Sequence, residues 1–128
     1  MKLLRYGPIG QERPGLLDAQ GRIRDLSSII PDIAQDSLSP ESLAHLADLD
    51  PDNLPVVAGD PRLGPCVGRV GKFICIGLNY SDHAAETGAS IPSEPIVFMK
   101  ATSAICGAND ALELPRGAEK LDWEVELG

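Results

Sequence analysis

Lys72-Phe73-Ile74-Cys75-Ile76-Gly77-Leu78 carries an apolar run of strand length. No polar residue alternates within it, so it predicts a strand buried on both faces. Just beyond it, Ser81 can cap a helix beginning at Asp82, and Gly88 can end that helix in the left-handed conformation glycine tolerates best. Further on, Ile96–Met99 reads as a strand, Asn109-Asp110 as a turn, and Ala111–Leu114 and Leu121–Leu127 as two more strands. On the N-terminal side, Asp50 to Gly71 holds Pro51, Pro55, Pro61 and Pro65 with several glycines, a composition that breaks regular structure and suits a linker lying over a packed edge. Before it, Ser39-Pro40-Glu41 supplies an N-cap, a proline at the first helical position and an early acid. Leu43, Leu46 and Leu49 then recur at helical spacing. Met1–Tyr6 and Gly15–Leu26 read as strands, the second broken at Ala19-Gln20-Gly21, where Gly21 can take the positive φ of a tight hairpin. The expectation is an α+β chain, mainly β, divided near Gly71: residues 1–70 form a small β-rich domain with its linker, and 71–128 begin a second domain.

Composition excludes several classes of function. With 43% hydrophobic residues, 128 residues bury a real core. A net charge of −8 argues against a nucleic-acid surface, which needs clustered Lys and Arg to replace phosphate counterions. The opening Met1 to Gly7 leads into no long apolar run, so neither signal peptide nor membrane span is readable and a cytoplasmic location is expected. Cys66, Cys75 and Cys106 are widely spaced with no C-x-x-C pair, and read as reduced, structural, buried thiols. His45 falls off the leucine line of its helix and reads as solvated.

Two small constellations could carry chemistry. His83 and Glu86 are three apart on the short helix, so they share a face, and a carboxylate beside an imidazole fixes its tautomer and raises its basicity. Alone, H-x-x-E is more often a solvated pair. Glu124 and Glu126 alternate on the strand expected at Asp122-Trp123-Glu124-Val125-Glu126-Leu127. Both carboxylates then share one face with their Cα atoms about 7 Å apart, within reach of one hard cation. Alone, E-x-E is more often a half-solvated strand. Asp122 has the same parity, but about 13 Å of strand rise separates it from Glu126, too far for a common ion. Lys100, Thr102 and Ser103 at a strand end suit a carboxylate-bearing ligand, or simple solvation. Asn79 and Tyr80 admit a ligand role, or turning and packing.

These signals come in one order: Gly77-Leu78-Asn79-Tyr80, then Asp82-His83 with Glu86, then Phe98-Met99-Lys100-Ala101-Thr102-Ser103, then Asp122-Trp123-Glu124-Val125-Glu126-Leu127-Gly128. In that order the chain resembles the fumarylacetoacetate hydrolase family, closest to its ureidoglycolate lyase and 2,4-diketo-3-deoxy-L-fuconate hydrolase branch. Met1-Lys2-Leu3-Leu4-Arg5-Tyr6 and the hairpin behind it resemble the small N-terminal domain many members carry. The resemblance implies an irregular mixed β-barrel or roll, incomplete in this chain, and a homodimer in the complete protein. It implies hydrolytic carbon–carbon cleavage of a small 2,4-diketo acid, with decarboxylation, isomerisation, ureidoglycolate lysis and an inactive fragment as alternatives. It implies His83 and Glu86 as catalytic residues, Asn79, Tyr80, Lys100 and Ser103 as substrate contacts, and Mg²⁺ or Mn²⁺, with Ca²⁺ a further candidate, held by Glu124, Glu126 and an aspartate beyond Gly128. Without the resemblance, an acidic α+β domain lacking an active site would remain in play.

Overall fold

The computed structural model describes all residues, Met1–Gly128, as two antiparallel sheets and two α-helices joined by turns and short 3-10 segments. β1 (Leu3–Tyr6), β2 (Arg13–Leu17) and β3 (Ile23–Asp25) form the first sheet in the order β1-β2-β3. The β2–β3 hairpin turns as expected at Gly21, whose φ is 76°. Asp18 is the residue that shapes it, because its Oδ1 accepts from the backbone N–H groups of Gln20 at 3.0 Å and Arg22 at 2.9 Å. The proline-rich stretch covers the sheet edges: Leu63 bridges Tyr6 on β1 and Val56 bridges Arg24 on β3. α1 (Pro40–Ala47) starts where the sequence placed it, with the Ser39 hydroxyl accepting the N–H of Ser42 at 3.2 Å. It seals the sheet with Leu46, which packs in a cluster with Leu16, Leu26 and Leu54 while Leu3, Ile30 and Leu49 line the margin. His45 is exposed.

Beneath the sheet lies a buried ion pair that no apolar pattern announces. Arg24, only 5% exposed, donates from Nε to Asp18 at 2.8 Å, from Nη1 to the Leu54 carbonyl at 2.9 Å and from Nη2 to Asp52 at 2.7 Å. Each of the three guanidinium nitrogens has a hydrogen-bond partner, which is what makes burial of the charge tolerable. Burial pushes the Asp18 carboxyl up, but hydrogen bonds from Arg24 and Arg22 and the nearby backbone N–H groups outweigh it and hold the group well below the usual carboxylate range.

The second sheet is the hairpin of β4 (Phe73–Gly77) and β5 (Ile96–Lys100), in register from Phe73↔Lys100 to Gly77↔Ile96. Here three expectations are corrected. β4 is a strand but is not buried on both faces: Ile74 is 56% exposed and every residue of β5 is exposed, since β5 is its sole partner in the sheet and no second layer covers the pair. Ala111–Leu114 and Leu121–Leu127 are not strands, because neither run lies beside a neighbour with which to form a ladder. The cysteines are free, but Cys66 and Cys106 are exposed and Cys75 is half-buried. No helix is long and apolar enough to cross a membrane.

Candidate active site

α2 (Ser81–Thr87) follows β4 and carries His83 and Glu86. It begins one residue earlier than Ser81 capping predicts. Tyr80 occupies the cap position, no side chain caps the first turn, and Gly88 closes the helix at φ 67° as expected. The short link from β4 to α2 holds a feature the sequence does not disclose: Leu78 sits at φ 48°. A left-handed backbone costs a residue with a Cβ about 1 kcal/mol or more, and such positions persist where the surroundings fix them. Directly after this turn, Asn79 donates its side-chain amide to Glu126 Oε2 at 3.0 Å.

α2 and the segment around Glu124 enclose a cleft of about 510 Å³ lined by Tyr80, His83, Glu86, Trp123, Glu124 and Glu126, with Asp82, Asp122 and Val125 completing the wall. Two stretches almost 40 positions apart are thus brought together. His83 and Glu86 share this cleft but make no hydrogen bond with one another; the His83 carbonyl accepts from the Thr87 hydroxyl at 2.9 Å. Lys100, at the end of β5, reaches Glu124 Oε2 at 3.5 Å. Ser103 is not part of the cleft. It lines a separate hollow of about 330 Å³ beside Arg5, Arg69 and Thr102.

Alternation along a strand is not what gathers the two glutamates. Residues of both parities from Asp122 to Glu126 face the cleft, because this stretch runs as irregular chain past α2. Asp82, quoted in the Asp82-His83 motif but given no role by the sequence, and Asp122, set aside there on strand spacing, both line the cleft. Five carboxylates in one cleft generate a negative field that repels an anionic substrate and draws in cations. They are the oxygen donors a hard divalent cation takes. Even so, no three His, Cys, Asp or Glu side chains converge on a point that could hold a metal ion. Four of the five already accept a hydrogen bond: Glu126 from Asn79, Glu124 from Lys100, Asp82 from the His83 backbone N–H and Asp122 from the Trp123 backbone N–H. The residues present suit a divalent cation in kind but do not suffice in number.

Residues 72–128 match the family profile described as fumarylacetoacetate (FAA) hydrolase C-terminal. A provisionally named hydrolase of Burkholderia multivorans is 66% identical over all 128 residues, and another from Burkholderia cenocepacia strain HI2424 is 65% identical over the same span. The chain belongs to the fumarylacetoacetate hydrolase family. It spans about half the length of these relatives, 45% of each. The fold agrees with a crystal structure from Mycobacterium smegmatis, provisionally described as an HpcE protein, at a TM-score of 0.67 and 25% identity, over 91% of this chain and 42% of that one. It agrees also with the fumarylacetoacetate hydrolase of Exiguobacterium antarcticum, at a TM-score of 0.52 and 28% identity, over 83% of this chain and 37% of that one. By family the chain stands among hydrolases, a family of enzymes generally dependent on a divalent metal and acting on small substrates.

Proposed function

We propose that this chain is the N-terminal part of a cytoplasmic, homodimeric hydrolase or lyase that cleaves a carbon–carbon bond in a small 2,4-diketo acid, of the branch that includes ureidoglycolate lyases and 2,4-diketo-3-deoxy sugar acid hydrolases. One observation carries the reading: a histidine with a carboxylate one helical turn away, and a second pair of carboxylates from a distant segment, line the same cleft. A base on one side, and on the other carboxylates that would hold a charge-neutralising divalent cation, are the parts that hydrolytic cleavage of such an anionic substrate calls for.

In this reading His83 takes a proton from a water in the cleft, and the hydroxide adds to the distal carbonyl of the substrate. Glu86 orients the imidazole and stabilises its protonated form, the two groups closing on each other once substrate excludes bulk water. The bond between the attacked carbon and its neighbour then breaks, and the electron pair remains on the departing keto-acid fragment as an enolate, which His83 reprotonates. Tyr80, which lines the cleft, and Asn79 and Lys100, which hydrogen-bond its glutamates, bind the substrate's carboxylate and keto oxygens, and Ser103, in its separate hollow, is the remaining proposed contact. Glu124 and Glu126 are two of the carboxylates by which the complete enzyme holds Mg²⁺ or Mn²⁺, and further donors come from outside residues 1–128. The division of the chain near Gly71 is part of the same proposal, supported by the start of the family match at residue 72.

Calorimetric titration with Mg²⁺ and Mn²⁺, run beside an acylpyruvate cleavage assay, tests the reading on this chain and on a protein of its relatives' full length. In the full-length protein, metal binding and turnover should both appear and both vanish in the Glu124→Ala/Glu126→Ala variant. Metal binding that survives that double substitution would remove the two glutamates from the site. A folded full-length protein that cleaves no acylpyruvate would remove the substrate class.

A further inference from the structure

From Ala111 to Gly128 every residue is exposed, and the single backbone hydrogen bond within this stretch runs from the Ala118 N–H to the Pro115 carbonyl. The hydrogen bonds from its far end to the rest of the chain run only between exposed side chains, Asn79 to Glu126 and Lys100 to Glu124. Its root is built differently. Asp110 accepts from Arg62 Nε and Nη2, each at 2.6 Å, and from the backbone N–H of Gly107, also at 2.6 Å. Arg62 spends its remaining donor, Nη1, on Glu12 at 2.9 Å and on the Gly7 carbonyl at 3.1 Å. Glu12 in turn lies 3.7 Å from Arg5, which grips Asp32 with a fork at 2.7 and 3.3 Å. A continuous relay Asp32–Arg5–Glu12–Arg62–Asp110 therefore ties the root of the exposed segment to β1 and the loops around it.

Three glycines make room for this relay. A Cβ at Gly64 would meet Glu12 Cγ at 2.6 Å, one at Gly68 would collide with the Asp32 carboxylate, and one at Gly107 would collide with the Leu63 carbonyl and crowd both Asp110 and Arg62. All three glycines are buried, and none has a positive φ, so the reason for glycine here is space and not backbone freedom.

We propose that Arg62 and Asp110 are positioning residues: they clasp the root of the segment that carries Glu124 and Glu126, so that the N-terminal sheet sets the place of the cleft's acidic wall. The proposal rests on the reading of that cleft as the active site. Its mechanical content stands apart from the chemistry, since Asp110 is the last partly buried residue before the two glutamates. A planar guanidinium held by two parallel bonds fixes direction as well as distance, which a lysine at position 62 would not do.

Trp123 is the single tryptophan and lines the cleft, so its fluorescence anisotropy reports the order of the acidic wall without any substrate or metal. Arg62→Gln and Asp110→Asn should lower the anisotropy of Trp123 relative to wild type. Asp110→Glu, which keeps the carboxylate, should recover most of it, and Arg13→Gln, which removes an exposed pair with Asp25, should leave it unchanged. A merely structural role would not separate the glutamate from the asparagine at position 110 while the far-UV spectrum stays constant. Should the asparagine variant fail to fold, hydrogen exchange in the wild-type chain decides the matter: the Gly107 amide must be protected, and exchange at the rate of an open amide overturns the clasp. Unchanged anisotropy in a folded Asp110→Asn chain overturns it equally. Neither readout involves turnover, so a wrong substrate class would leave both intact.

Discussion

Leu46→Ala tests whether the first sheet and α1 form a unit with its own core. Leu46 is 1% exposed and closes a cluster of four leucines. Truncating it removes the one fully buried side chain that α1 contributes, and the rigid sheet opposite cannot follow the retreating surface. Leucine-to-alanine changes at such sites cost about 2–5 kcal/mol, and a cluster this small should place the cost near the middle, at about 3 kcal/mol. For a cooperative unit of 60–100 residues, at about 4–8 °C per kcal/mol, the melting temperature should fall by roughly 12–24 °C. Leu112→Ala serves as the control, since Leu112 is 64% exposed and its loss should cost no more than about 0.5 kcal/mol. Differential scanning calorimetry on the three proteins measures both. A Leu46→Ala protein that melts within about 2 °C of wild type would refute the idea that this cluster holds the unit together.

Acid should loosen the molecule in a defined direction. Burial pushes Glu12 up, but hydrogen bonds and the charges of Arg62 and Arg5 leave it below its usual value of 4.5, and Asp110 is held below 3.8 first by its hydrogen bonds from Arg62. A carboxylate depressed in the folded state contributes stability that is present above the unfolded value and is lost as pH falls through the folded one. The melting temperature should therefore hold above about pH 5 and fall steadily from there downward, and a profile flat to pH 2 would contradict the relay. Ser39→Ala removes the oxygen that accepts the Ser42 N–H and should cost about 1 kcal/mol by denaturant titration, whereas Ser39→Asp should cost little. Gly107→Ala should destabilise the chain markedly, with the Leu63 carbonyl and Asp110 forced aside, and it should lower Trp123 anisotropy as Asp110→Asn does.

The parts of the structure legible in the sequence are those decided locally. The cap at Ser39, the hairpin at Gly21, the glycine that ends α2 and the strands around Phe73 and Ile96 follow from residue type and near neighbours. The burial expected of β4 is absent because an apolar run reports a strand's affinity for cover, and cover depends on elements elsewhere. The strand expected at Leu121–Leu127 fails for the same reason: alternation gives a segment the capacity to pair, not a partner. The Arg62–Asp110 clasp spans 48 positions and rests on charged residues that composition assigns to the surface. The one hint was glycine at 64, 68 and 107, and a sequence does not distinguish a glycine needed for space from one needed for a turn. Of the proposed site, the order of motifs pointed to His83, Glu86, Glu124 and Glu126. Asp82 stands in the same run of motifs, but acids at helix starts are common and nothing marks it as a cleft residue, and leucine does not advertise the left-handed conformation of Leu78.

The proposed function stands or falls on whether the cleft between α2 and Glu124–Glu126 is an active site with His83 as its base. A protein of the relatives' full length, assayed for acylpyruvate cleavage as wild type and as His83→Ala, tests it most directly. The account predicts that the variant folds and melts as the wild type does and loses about 10²–10⁴-fold in kcat, the contribution of a positioned general base. A folded His83→Ala enzyme that turns over within about threefold of wild type would contradict it.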